Sequence, residues 1–448
     1  ICRCCAIMQP RQIDFKRKGG IKQMKSKRLK PRRLVVLGFL CVILLGTLLL
    51  KLPISSETGE CVPLVDCLFT STSAVCVTGL ASVDPGTTLS SFGEVVLALL
   101  IQIGGLGITS IGVIFIIAAG GRMGIGKQRL LKESLNLSSG KGLMDVLKAV
   151  GFVTVSFELI GAVLSFVTFS ADYSTGRAIG LSVFHSIASF NNAGFDILGG
   201  FKNLLDYHAD AWLCIVTRGL GFFVISELLA GRSPRHWSLQ TKVVLSVTAA
   251  LIVFGTLFLK WTEGGDITWL EAYFQSVSAR TAGFSSVAIG EMTQAGLLVL
   301  IVLMFIGASP GSTGGGIKTT TFFVLVRKML STVFNSHCTA FKRVIPADVV
   351  MKAFSVFSLA VGVVLASTFA VCMLETEFTF EQILFEVVSG FATTGLSTGI
   401  TPDLSAASKV ILSATMFVGR LGPLTIATIW LGRELPEATY SEEEVTIG

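Results

Sequence analysis

Arg280-Thr281-Ala282-Gly283-Phe284 interrupts an otherwise apolar region, and its small, polar, glycine-ended pattern occurs three more times. The counterparts are Ser73-Ala74-Val75-Cys76-Val77-Thr78-Gly79-Leu80, Phe190-Asn191-Asn192-Ala193-Gly194-Phe195 and Ala392-Thr393-Thr394-Gly395-Leu396. Each lies between two segments long enough to cross a bilayer. Chain that turns back at membrane depth is tolerated only where it lines a polar cavity or is buried in protein. Four such hairpins in one polypeptide are the expected walls of one pore.

Composition supports a membrane setting. Hydrophobic residues make up 51% of the chain and charged residues 15%, against about a quarter charged in a soluble domain. The mean hydropathy is +0.73. Apolar runs at Leu34–Leu50, Phe92–Ala119, Val146–Phe169, Ala211–Leu229, Val243–Leu259, Ala295–Ile306, Val349–Leu374 and Ala406–Leu431 mostly reach the roughly 20 residues of a spanning helix. About eight spans follow, with four shorter segments between them. Leu34–Leu50 follows basic residues as a signal peptide would, but no small-residue cleavage site precedes a soluble domain, so it reads as a first span.

Lys and Arg cluster on one side: Lys16 to Arg33, Arg122, Lys127, Arg129, Lys132, Arg232, Arg235, Lys242, Arg327, Lys328, Lys342 and Arg343. Glu57, Glu60, Asp66, Asp84, Asp172, Asp206, Asp210, Glu263, Asp266, Glu375 and Glu377 fall on the other. The positive-inside rule then places both termini in the cytoplasm. The net charge of +7 comes mostly from the N-terminal arm, which reads as an orientation signal and a headgroup contact in the lipid bilayer rather than a nucleic-acid site. The ten cysteines show no metal-ligand spacing outside the N-terminal cluster Cys2, Cys4 and Cys5. Cys61 and Cys67 are either a pair on the outer face or two free thiols.

A repeat organises the rest. Each unit reads basic inner side, spanning helix, acidic outer loop, short helix, glycine motif, second spanning helix. The expected fold class is an all-α polytopic membrane protein of four pseudo-repeated helix–pore-loop–helix units around one central pore. Its divisions are a basic arm (1–33), unit 1 (34–121), unit 2 (122–231), unit 3 with a broken inner helix (232–345), unit 4 (346–432) and a cytoplasmic tail (433–448). Thr268-Trp-Leu-Glu271 and Thr379-Phe-Glu-Gln382 fit capping boxes that start two of the short helices. The aligned segments are Leu68-Phe-Thr-Ser-Thr-Ser73, Val183-Phe-His-Ser-Ile-Ala188, Tyr273-Phe-Gln-Ser-Val-Ser278 and Leu384-Phe-Glu-Val-Val-Ser389.

A short helix entering from outside points its negative C-terminal end at the bilayer centre, which favours a cation. Backbone carbonyls then replace the ion's water, and glycine supplies the backbone freedom that inward carbonyls demand. The candidate filter is Val77, Thr78, Gly79, Asn192, Ala193, Gly194, Thr281, Ala282, Gly283, Thr393, Thr394 and Gly395, with hydroxyls of Thr78, Thr281, Thr393 and Thr394 as added acceptors. The only metal expected is the transported cation at these carbonyls. The alternative use of such glycines is close helix packing; their recurrence at one place in four units favours the pore.

The inner half carries two further devices. Pro310 and five glycines in Gly307-Ala-Ser-Pro-Gly-Ser312-Thr313-Gly314-Gly315-Gly316-Ile-Lys318-Thr319 break the third inner helix. This stretch is a gating loop or a packing kink. Its glycine spacing resembles a phosphate loop, but Ile317 stands where the lysine should be and no strand precedes it. Arg420, in Gly419-Arg420-Leu421-Gly422-Pro423, falls mid-helix in the fourth unit at a depth where charge is costly. It is either a barrier beneath the filter or a structural arginine paired with backbone carbonyls or with Glu158. Arg280 is read as capping the third short helix's negative end or forming a nearby salt bridge rather than touching ions, and His185 as a packing and hydrogen-bonding residue rather than a ligand.

These motifs resemble the Trk/Ktr/HKT superfamily of potassium transporters from Leu34 to Gly448, and within it the KtrB-type pore subunits. Phe190–Phe195 and Arg280–Phe284 look like its second and third filters, Gly311–Thr319 like its intramembrane gating loop, and Arg420 like the arginine beneath its filter. The resemblance implies a non-enzymatic, potassium-translocating subunit in a bacterial plasma membrane. It implies a homodimer on a cytosolic ring of KtrA-type RCK regulatory subunits, with the nucleotide on that ring and no cofactor on this chain. Sodium is a candidate coupling ion. Arg218 replaces a glycine of the pattern. A polytopic enzyme would need converging His, acidic or Ser–Lys groups that the sequence does not offer, and two broken-helix halves would mark a transporter of another design.

Overall fold

The computed structural model of the chain describes residues 31–107, 143–201, 204 and 237–431. Residues 1–30 of the basic arm, the tail, Arg218 and the second inner segment lie outside them. The described chain is mostly helical, with one two-stranded hairpin, β1 (Thr339–Ala340) against β2 (Arg343–Val344). Long helices are α1 (Pro31–Leu50), α4 (Leu143–Phe169), α6 (Leu239–Glu263) and α10 (Ala347–Leu374). Each is long and apolar enough to cross a membrane, and only 22 to 28% of its apolar window is buried inside the protein. The remaining apolar surface, including Leu48, Val163, Phe254 and Phe369, faces outward, as a helix in lipid should.

Between them lie α2 (Leu64–Cys76), α5 (Thr175–Asn191), α7 (Trp269–Ser278) and α11 (Phe380–Ala392). At 10 to 17 residues and about 1.5 Å per residue, they fall short of the roughly 30 Å hydrocarbon core. Such a helix survives at depth only if protein surrounds it. Phe69, Phe184, Phe274 and Phe385, one per helix at the same register, are all buried. Two residues later, Ser71, Ser186 and Ser276 donate to the carbonyls of Ile43, Glu158 and Ile252 at 2.8, 2.6 and 2.9 Å. Each bond ties a short helix to the long helix before it; the fourth has Val387 there. A Cβ on Gly46 or Gly255 would strike Ser71 or Ser276, so small residues set the approach. Capping boxes form at Thr268/Glu271 and Thr379/Gln382 as the sequence predicts.

The inner helices are α3 (Ser91–Leu106), α8 (Gln294–Phe305) and α12 (Ala406–Leu421), followed by α9 (Thr319–Val333) and α13 (Pro423–Leu431) in the third and fourth units. Ser90, Thr293 and Ser405 cap α3, α8 and α12. Glu263, at the end of α6, accepts from the backbone N–H and hydroxyl of Thr293. Glu375, just after α10, accepts from the Ser405 N–H; burial pushes its carboxyl up, but bonds from Ser405 and Ser408 outweigh that and hold it below the usual carboxylate range. One expectation changes. Gly419–Pro423 was expected within a continuous helix, yet α12 stops at Leu421 and a new helix starts at Pro423. Gly422 takes φ 86° and ψ 132°, and Gly107 ends α3 at φ 79° and ψ 136°. Both glycines occupy backbone conformations that L side chains avoid.

Ion pairs join units that are distant in sequence. Arg177 on α5 binds Glu94 on α3 at 2.8 Å. Lys409 on α12 binds Asp66 on α2 at 2.9 Å, with both side chains largely buried. That second pair joins the last unit to the first. Cys61 and Cys67 are free thiols. Lys409→Met leaves the Asp66 carboxylate without its cation, so the detergent-solubilised protein should lose about 3 kcal/mol and unfold at a lower temperature. Lys409→Met with Asp66→Leu should recover part of the loss; thermal unfolding unchanged in both variants would remove the pair from this role.

Candidate ion filter and gating loop

Three short helices end in the same way. Val77, Asn192 and Thr393 adopt left-handed conformations with φ of 59°, 59° and 51°. Their N–H groups donate to the carbonyls of Ala74, Ser189 and Gly390, and the next N–H, from Thr78, Ala193 and Thr394, donates to Ser73, Ala188 and Ser389 at 2.8 to 2.9 Å. This paired closure is a Schellman motif, which glycine usually completes. Here Val77 and Thr393 do so at a cost of about 1–2 kcal/mol each, and Asn192 at less, since Asn tolerates this region. α7 differs: Ala279 stays right-handed and the turn falls at Thr281, φ 74°. Two residues on from the left-handed position, Gly79, Gly194, Gly283 and Gly395 also have positive φ, from 64° to 100°. All four motifs therefore carry positive φ twice, two residues apart.

The glycines meet in chain order. A Cβ placed on Gly79 would strike the Ala193 carbonyl oxygen, and one on Gly194 would lie 3.0 Å from the Gly283 oxygen. From Gly283 it would strike the Thr394 oxygen, and from Gly395 the Thr78 oxygen. Four backbones thus form a closed ring in which each glycine faces its neighbour's carbonyl. Behind the ring, Ser73 and Ser389 hydroxyls accept from the Gly79 and Gly395 N–H groups at 3.1 and 3.2 Å, while Ser278 donates to the Phe284 carbonyl. Buried Glu386 accepts from Ser397, Thr398 and Thr401, bracing the chain after Gly395. The hydroxyl oxygens of Thr78, Thr281 and Thr394 are buried without a hydrogen-bond partner. The C-terminal ends of α2, α5, α7 and α11 lie next to the ring, so their partial negative charges add to its carbonyls.

The glycine-rich segment folds back between α8 and α9. Ile306 bridges Ile317, and the Ile317 and Thr319 N–H groups reach the carbonyls of Phe305 and Ala308. Its tip packs against three of the four motifs. Asn192 Nδ2 donates to Thr313 Oγ1 at 3.0 Å, and the Gly315 N–H donates to Thr393 Oγ1 at 2.7 Å. A Cβ on Gly314 would strike Thr281 Oγ1. Gly307 is packed against the Gly315 carbonyl, and Gly316 against Ala392. Ser312 turns back onto the Ser309 carbonyl. Lys318 Nζ donates to the Gly314 and Gly315 carbonyls, so a cation on the loop's own stem closes it.

Arg420 donates to the Gly104 carbonyl on α3. Of its expected partners, a backbone carbonyl is the one present, and it comes from α3. Gly104 and Gly419 are matched positions: a Cβ on either would strike the backbone carbonyl of Val75 or Phe391, near the end of α2 or α11. Arg280 is buried but does not cap α7. Its guanidinium lies 3.5 Å from the Gly307 carbonyl at the loop's entrance. His185 packs edge-on against Phe169 and at 5.1 Å from Phe284, with Ser189 on Nε2.

Sequence reasoning identified the residues of the ring and loop but missed two features. The left-handed residues Val77 and Thr393 carry no composition signal, because β-branched residues ordinarily avoid that conformation, whereas Asn192 is of a type that often takes it at a helix end. The break at Gly422 had a signal: Ile103-Gly-Gly-Leu-Gly107 and Val418-Gly-Arg-Leu-Gly422 align residue for residue.

Helix order, short re-entering helices and a ring of backbone carbonyls define a polytopic membrane protein built to pass small ions. The profile of the TrkH cation transport protein family matches residues 34–230 and again 228–442. The chain belongs to that family. It is 36% identical to the Ktr system potassium uptake protein B of Bacillus subtilis, over 95% of this chain and 99% of that one. It is 35% identical to the potassium/sodium uptake protein NtpJ of Enterococcus hirae, over 96% and 99%. Among solved structures, the potassium transporter TrkH from Vibrio parahaemolyticus has the same fold, with a TM-score of 0.68 at 19% identity, over 90% of this chain and 87% of that one.

The loop contacts give a direct proximity test. With the native cysteines replaced, Asn192→Cys and Thr313→Cys should form a disulfide between the loop and the end of α5 under mild oxidation, seen as a mobility shift after proteolysis between them. No crosslink in a folded double variant would place the loop elsewhere.

Proposed function

We propose that the chain is the potassium-translocating membrane subunit of a Ktr-type uptake system, with sodium as a candidate coupling ion. The closed glycine ring carries this reading. Four carbonyl-bearing backbones approach with no side chain between them, and partial negative helix ends stand behind them. Residues 77–79, 192–194, 281–283 and 393–395 are the filter, and the transported ion is the only metal there. The domain divisions at 33, 121, 231, 345 and 432 then separate a basic arm, four pore units and a tail. Basic residues on one face favour cytoplasmic termini in a bacterial plasma membrane.

Gly307, Ser312, Thr313, Gly314, Gly315, Gly316 and Lys318 form the gate, with Arg420 as a fixed positive charge beside it. The close contact of this segment with three filter motifs supports the assignment. The names of the similar Ktr proteins support a multi-component system, and its proposed form is a homodimer of this chain on a cytosolic KtrA-type RCK ring that binds the nucleotide. The chain itself carries transport and no catalysis.

Rubidium uptake into a bacterium lacking its own potassium uptake, with the regulatory ring supplied, tests the reading. Wild type should take up rubidium and restore growth in low potassium. Gly283→Ser puts a side chain into the Thr394 carbonyl, so its half-saturation should rise about tenfold, the scale of a lost charge-stabilising contact. A correctly inserted wild type without uptake, or Gly283→Ser with wild-type kinetics, would contradict the assignment.

A further inference from the structure

Three of the four ring residues that take positive φ before the glycines also touch the loop. Among the four left-handed positions, Asn192 holds Thr313, Thr393 holds the Gly315 N–H, and Thr281 packs on Gly314. Val77, the fourth, has no polar atom to offer. These contacts are buried: Asn192, Thr281 and Thr393 are each 1% exposed or less, and Thr313 is 5% exposed. A strained backbone persists where its surroundings over-determine it, and here the loop supplies part of those surroundings.

We infer that the loop is a latch on the filter as well as a lid below it: its docking holds the left-handed residues that shape the carbonyl ring, so loop position and cation affinity form one equilibrium. This rests on the reading of the ring as a cation filter. If docking favours the ion-binding shape of the ring, an ion in the ring favours docking by the same factor. Cation occupancy and any signal arriving through α9 then converge on Thr313 and Gly315. A lid that merely blocked the exit would act otherwise. It would change the number of open pores and so the maximum rate, while each open pore kept its affinity and its preference among cations.

Thr313 separates the two, because it belongs to the loop and is not part of the ring. In cells supplied with the regulatory ring, Thr313→Val should raise the half-saturation for rubidium about threefold or more, the range commanded by one buried hydrogen bond. It should also lower the preference for potassium over sodium. Thr313→Ser keeps the hydroxyl and should stay near wild type in both. Thr313→Ala removes the hydroxyl with less bulk and gives the same readout where the valine variant is poorly inserted. Unchanged or lower half-saturation with unchanged preference, at any maximum rate, would overturn the latch and leave the transport reading standing. Wild type that moves no rubidium would overturn both.

Discussion

The structure depends on four backbones approaching each other without side chains between them. At Gly79, Gly194, Gly283 and Gly395 the place of a Cβ is taken by a neighbour's carbonyl oxygen or lies within contact of one. Carbonyl oxygens repel one another, so the ring cannot hold itself together. It needs a frame. Short helices supply that frame, but in a bilayer they persist only when surrounded by protein. The long helices, with most of their surface outward, and the inner helices provide the surround.

Repetition explains most of the frame. The same phenylalanine anchors each short helix, and the same serine ties three of them to the preceding long helix. Three close with the same paired hydrogen bonds. Where a unit departs from the pattern, it carries an added device. α7 ends differently and is followed by the interrupted helix; the fourth unit lacks the serine but has Glu386 bracing its outer chain and Arg420 on its inner helix. The Lys409–Asp66 pair joins the last unit to the first. The ring is built from four near-equal contributions, whereas the interrupted helix and Arg420 are each present once among the described residues.

Much of this was legible in the sequence. Apolar runs marked the four long helices, and the glycine motifs marked the backbones that meet in the ring. Pro310 with its glycines marked the loop. What could not be read was conformational or relational. Positive φ at Val77 and Thr393 opposes the intrinsic preference of those residues, so only the assembled fold imposes it. The partner of Arg420 is a backbone carbonyl on α3, and every residue has a carbonyl, so nothing in the sequence could single out Gly104. Along the chain, Arg280 has its own helix end or a nearby acid as its candidate partners. Its guanidinium instead reaches Gly307, which folding brings close.

The central claim is that the glycine ring binds a dehydrated cation through its carbonyl oxygens. Rubidium is close to potassium in size and scatters anomalously, so crystals grown in rubidium test it directly. An anomalous peak should lie on the axis of the ring, about 3 Å from carbonyl oxygens contributed by all four motifs, and fade when rubidium is replaced by a large organic cation. A ring with ordered backbone and no peak, or a peak held by side-chain carboxylates elsewhere, would contradict the account.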